Sequence, residues 1–127
     1  MEKVLAFINE QLNTILEIPY EFMEWTDDVV PGQYWVGELS DTPTNTEDGK
    51  EEFTLLLTGT TRGKWLDLVK TEDKIKAHFP PIYGLRTEKE GNTFVAFYSN
   101  SFPVPTGEAD LKRMQINIEI KTWKGLN

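Results

Sequence analysis

The chain has 127 residues, no cysteine, and 13 Lys and Arg against 21 Asp and Glu, a net charge of −8. That length suffices for one self-supporting domain, residues 1–127, and the lack of cysteine excludes disulfides, thiolate nucleophiles and Cys-ligated zinc or iron–sulfur centres. The acidic balance argues against sequence-specific or general nucleic-acid binding and against anionic membranes, because phosphate contacts need clustered cations.

The opening residues carry no positive n-region and no continuous apolar run, so no secretory signal is expected. No stretch approaches the ~18 apolar residues of a membrane span. Over residues 3–16, Val4, Leu5, Ile8, Leu12, Ile15 and Leu16 recur at steps of three and four, predicting one amphipathic helix that Pro19 ends. The aromatic-rich stretch 20–25 reads as a short strand, followed by turn signals at Thr26-Asp27-Asp28 and Pro31-Gly32. Residues 34–39 form the next strand candidate.

Residues 40–52 contain no apolar side chain except one proline ring, which predicts a long solvated loop. Residues 53–59 read as a central strand, with Leu56 opposing Phe53, Leu55 and Leu57 so that its middle is covered on both sides. Trp65, Leu68, Val69, Ile75 and Phe79 then follow helical spacing until Pro80-Pro81. Strands over 82–88 and 93–100 flank Lys89-Glu90-Gly91-Asn92, a hairpin signal. After a stiff loop, 101–107, the strict alternation of Met114, Ile116, Ile118 and Ile120 with Gln115, Asn117, Glu119 and Lys121 predicts a long strand with one packed face. The expected fold is α+β, with an antiparallel or mixed β-sheet packed by two α-helices in the order αβββαβββ.

Several features invite chemistry and do not support it. His78 is the single histidine, and a charged histidine at a helix C-terminus has an electrostatic explanation without a metal. Gly59-Thr60-Thr61-Arg62-Gly63-Lys64-Trp65 has three residues between its glycines where a phosphate loop needs four, and Trp65 stands where Ser or Thr would hold Mg²⁺. Glycines that turn the chain and solvated cations account for it. With Gly49 at position six of a calcium loop, position twelve would be Leu55, so that match fails. No Gly-x-Ser-x-Gly elbow occurs, and no carboxylate pair stands out. No enzyme activity, metal or cofactor is expected.

Surface and edge remain. Tyr20, Trp25, Tyr34 and Trp35 crowd the first two strands. Such aromatics serve most often as core, though interfaces are also enriched in them. The candidate interface residues are Asp41, Glu47 and Asp48 in the acidic loop, Phe102 and Val104 beside Pro103 and Pro105, and Trp35 and Trp123. A rival reading is a monomeric ligand- or peptide-binding module with Trp25, Tyr34 and Trp35 as a stacking platform. A small carboxylate enzyme ranks last.

An opening helix from Met1-Glu2-Lys3-Val4, the strand Glu52-Phe53-Thr54-Leu55-Leu56-Leu57, a helix around Asp73-Lys74-Ile75 and the closing Leu111-Lys112-Arg113-Met114-Gln115-Ile116-Asn117-Ile118 span nearly the whole chain. In size, element order and terminal amphipathic strand it resembles the head–tail joining, or tail-terminator, proteins of long-tailed bacteriophages. The resemblance implies a non-enzymatic virion component, present in the host cytoplasm during assembly. Its copies would form a ring, typically a hexamer, on the tail tube, stopping tube polymerisation and meeting the head connector. The implied partners are sister copies, the tail-tube protein and the head-connector protein.

Overall fold

The computed structural model describes residues 2–27, 32–42 and 49–124. The elements are helix α1 (Glu2–Asn9), which continues as a π-helical segment (Glu10–Ile15), then β1 (Tyr20–Phe22), β2 (Gln33–Thr42), β3 (Glu51–Thr61), α2 (Trp65–His78), β4 (Leu85–Lys89), β5 (Asn92–Val104) and β6 (Lys112–Lys124). The molecule is α+β, and its strands form one six-stranded mixed sheet in the order β1-β2-β3-β6-β5-β4. Among the described residues, only the β1–β2 pair is parallel.

Alternation decides which face is packed. Phe53, Leu55 and Leu57 on β3 pair with Ile120, Ile118 and Ile116 on β6, and all six are buried. Val4, Phe7 and Ile8 of α1 and Leu68 and Ile75 of α2 join them in one cluster. The Phe7 and Phe94 rings stack with centroids 4.7 Å apart. Both helices therefore lie on one side of the sheet, and the alternate strand positions face the other way.

Two glycines shape this packed face. Trp35 pairs with Gly59, and a Cβ at Gly59 would meet the indole carbons at 2.5 Å. Neither Gly59 nor Gly63 turns the chain by a positive φ. Gly59 makes room for Trp35, which corrects the turn-forming role expected from the sequence. Gly37 likewise admits the Tyr20 ring. Trp35 Nε1 donates to Gln33 Oε1 at 2.9 Å, and that oxygen also accepts from Thr71 Oγ1 at 2.8 Å, so the indole is tied to α2.

The first helix departs from the expected form. From Glu10 the turns widen, with the Leu16 N–H reaching back five residues to Gln11 O. The wider turn rotates later side chains: Gln11, Leu12 and Leu16 are buried, whereas Ile15, expected in the core stripe, is 51% exposed. Helix α2 starts with the Lys64 N–H bonded to Asp67 Oδ2 at 3.1 Å and stops before Pro80-Pro81. Its His78 Nε2 lies 2.7 Å from Gln11 Oε1, joining the two helices. Burial pushes the His78 pKa below its ordinary value, replacing the charged helix-end role expected from the sequence.

Two pH responses follow. The depressed His78 pKa means the unfolded state binds the proton more readily, so stability falls as pH drops from about 6.5 through the lowered folded value. In urea titrations from pH 8 to 5, His78→Gln should flatten that decline. At the alkaline end, burial raises the Tyr20 pKa to about 12 from 10.0. The unfolded phenol loses its proton first, so stability is full below pH 10 and is lost as pH rises towards 12. The loss should be about 2–3 kcal/mol and should disappear in Tyr20→Phe.

Strand ends also differ from expectation. β2 runs to Thr42 and β3 starts at Glu51, so strand pairing extends into both ends of the predicted loop 40–52. Residues 43–48 lie outside the described set. Leu56 is half-buried, so β3 is not packed on both faces. Glu90 and Gly91 have φ of 52° and 80° and close the β4–β5 hairpin as a two-residue turn.

The segment 82–84 is not strand. The Gly84 N–H bonds to Pro80 O and the Tyr83 N–H to Pro81 O, both at 2.9 Å, around Ile82 with φ 74°. This is a γ-turn of the rarer, positive-φ form. The predicted stiff loop beginning at 101 is strand as far as Val104. β5 passes an irregularity between Tyr98 and Asn100 and stays paired to β6 through Val104–Arg113. Pro103 fits within it because its missing N–H falls on the edge away from β6.

Candidate interaction surface

Among the described residues no helix covers the second face of the sheet, which is built from alternate residues of the strands, and its register follows from the pairing. Val36, Thr58, Gln115 and Phe102 lie on one rung, and Glu38, Leu56, Asn117 and Asn100 on the next. The irregularity after Tyr98 adds one residue to β5 and flips its parity. That flip brings Phe102 and Val104 onto this open face beside Gln115 and Arg113.

Side-chain hydrogen bonds hold the polar members in place. Thr54 Oγ1 donates to Glu119 Oε2 at 3.0 Å, Gln115 Nε2 to Asn117 Oδ1 at 3.0 Å, and Asn117 Nδ2 to Asn100 Oδ1 at 3.0 Å. Lys121 Nζ sits 5.7 Å from the Phe97 ring centroid. Between these polar groups stand Val36, Leu56, Phe97 and Phe102. The surface is mixed and internally braced, as interface patches are when their side chains are ordered before docking.

One end of the face is covered by the chain after β1. Thr26 bonds through its N–H and hydroxyl to the two Glu21 carboxylate oxygens at 3.0 and 2.6 Å, and the Trp25 ring leans on Tyr34 with centroids 5.4 Å apart. Thr60 beneath is buried and accepts from Arg113 Nε at 3.3 Å. Trp25 Nε1 is buried with no hydrogen-bond partner among the described residues. An unmatched buried donor costs about 1–3 kcal/mol.

The candidate residues separate clearly. Trp35 is wholly buried under α2, so its place among the interface residues is corrected. Its indole belongs to the packed face, opposite Tyr34, so Trp25, Tyr34 and Trp35 do not form the stacking platform of the rival reading. Asp41 is exposed near the end of β2. Glu47 and Asp48 lie outside the described residues. Phe102 is 41% exposed, and Val104 and Trp123 are half-buried, all three on the open face.

The sequence reading missed Ile82 and Tyr83. Taken there as the start of a strand, they project from the γ-turn at 88% and 86% exposure. The signal was available in Pro80-Pro81 followed three residues later by Gly84, a frame that favours a tight turn over a strand.

Among the described residues, no three His, Cys, Asp or Glu side chains gather as a metal-binding group. No described helix is long and apolar enough to cross a membrane. No protein-family model matches the chain, and no curated protein matches it.

Proposed function

We propose that the protein is a non-enzymatic assembly component of a phage tail or a related machine. Sister copies close into a ring, the ring caps the tail tube, and the capped end meets the head connector. The observation that carries this reading is the helix-free face of a six-stranded sheet, where Phe102, Val104, Leu56 and Phe97 stand among a fixed lattice of polar side chains. Such a face offers apolar contact area with its hydrogen-bonding partners already positioned. In this reading it receives the tube or the connector, and the lateral margins of the sheet receive sister copies.

The edges support the same division. Arg86 and Glu88 on β4 and Asp41 on β2 place charge along the margins, and Pro103 removes a donor from the free edge of β5. These devices discourage indiscriminate strand pairing while leaving side chains available for a specific contact. The test is to add the purified chain to polymerising tail-tube protein and measure tube lengths by electron microscopy. Substoichiometric protein should shorten the tubes and appear as a cap at one end. Unchanged lengths and uncapped ends would refute the assignment.

A further inference from the structure

The two lateral margins of the sheet differ in a way that points to each other. On the β4 side, Ile82 and Tyr83 project almost fully into solvent from a turn fixed by two backbone hydrogen bonds. Ile82 holds φ at 74°, a region that a β-branched residue avoids. Neither side chain contributes to the core, so burial does not account for the strained conformation; strain of this kind concentrates at functional segments.

On the β1 side, Phe22 is 38% exposed and Met23 58% exposed, and Met23 also has a positive φ, 73°. Met23 is fixed there by its N–H bond to Gly37 O at 2.8 Å. Each margin therefore presents a pair of apolar side chains on a locally constrained backbone.

The pairing register gives their relative positions. Phe22 lies on the rung of Gly37, Leu57 and Ile116. The Ile82–Tyr83 turn lies between Phe79, whose carbonyl accepts the Tyr98 N–H on the rung of Leu39, and Leu85, on the rung of Asp41. The two features thus differ in height along the strands by about 7–14 Å and stand about 24 Å apart across the sheet. They cannot meet within one molecule.

Charge divides along the same axis. No Lys or Arg occurs from Val4 to Gly49, and the β1–β2 margin carries Glu24, Glu38 and Asp41. Residues 72–90 balance Lys74, Lys76, Arg86 and Lys89 against Glu72, Asp73, Glu88 and Glu90, so cations gather on this side whereas residues 4–49 carry acids and no cation. Lys89 is engaged with Glu10 at 2.6 Å and Lys74 with the Leu16 carbonyl; Arg86 lies 3.5 Å from Glu88 and Lys76 5.0 Å from the Tyr98 ring centroid, and both of these residues stay exposed.

We infer that the Ile82–Tyr83 turn of one copy seats on the Phe22–Met23 margin of the next, with the exposed Lys76 and Arg86 of the first facing the acidic flank of the second. The contact joins two different surfaces of the same chain, so it repeats head to tail and closes into a ring or extends into a filament. This specifies the sister contact and rests on the ring reading above.

The natural absence of cysteine makes the test clean. Tyr83→Cys and Met23→Cys chains are prepared separately, mixed, and treated with a short bismaleimide. Cross-linked dimer should form in the mixture and not in either variant alone. Separately, the double variant Ile82→Gly/Tyr83→Ser should keep the wild-type melting temperature or exceed it, and its association should weaken at least tenfold. Cross-linking within a single variant, or unchanged association of the double variant, would overturn the contact. If the wild-type ring still forms and caps tubes in that case, only this contact fails. If wild-type protein neither associates nor caps tubes, the ring reading fails with it.

Discussion

Trp35→Ala is expected to lower the unfolding free energy by about 3–5 kcal/mol, a large part of the ~5–15 kcal/mol typical of a domain. The indole is fully buried, lies over Gly59, and is the donor in the Gln33 network that reaches Thr71 on α2. Removing it leaves a cavity between sheet and helix and takes away the hydrogen-bond donor facing Gln33. Gly59→Ala attacks the same contact from the other side. Its new Cβ overlaps the ring of a side chain with no room to retreat, at a cost of about 1–3 kcal/mol. Urea unfolding followed by tryptophan fluorescence and circular dichroism measures both. Losses under 1 kcal/mol would mean that Trp35 does not anchor the helices to the sheet.

Phe102→Glu is expected to do the reverse. The side chain is 41% exposed on the open face, where it pairs across the strands with Gln115. Its substitution should change unfolding free energy by no more than about 0.5 kcal/mol, as surface changes usually do. Binding to tube ends, by contrast, should fall at least about thirtyfold, the loss of one strong contact plus the burial of an unpaired carboxylate. Sedimentation with preformed tubes reads the binding, and thermal unfolding reads the fold. A variant that binds as wild type would remove the open face from the tube contact.

These two variants also show which parts of the molecule could be read in the sequence. The alternation over Met114, Ile116, Ile118 and Ile120 identified β6 and its packed face, because a period of two admits one solution when only one face is buried. Helix α2 and the position of the hairpin at 89–92 were equally legible, since Pro80-Pro81 and Gly91 act locally, although the second positive φ falls on Glu90, whose type does not signal it. Trp35 was not. Its type suits an interface and a core alike, and only the pairing opposite Gly59 decides between them.

Phe102 and Val104 were read as part of a loop but lie in β5, on the side of the open face, Phe102 exposed and Val104 half-buried. Pro103 and Pro105 argue against a strand until the outer edge of β5 supplies a position where no N–H is needed. The γ-turn at Ile82 was illegible for another reason: propensity does not predict an isoleucine at positive φ. The π-helical turns were hidden in the same way, because the buried Gln11 that faces His78 looks like a solvent-facing residue in the helical pattern.

The central claim is that copies of this chain complete one another, and the particle mass tests it most directly. Mass measurement over a wide concentration range, with and without preformed tail-tube ends, should reveal a species that stops growing at a fixed multiple of 14.6 kDa, six for a hexameric ring. A 14.6 kDa particle that persists at every concentration and on every template would contradict it.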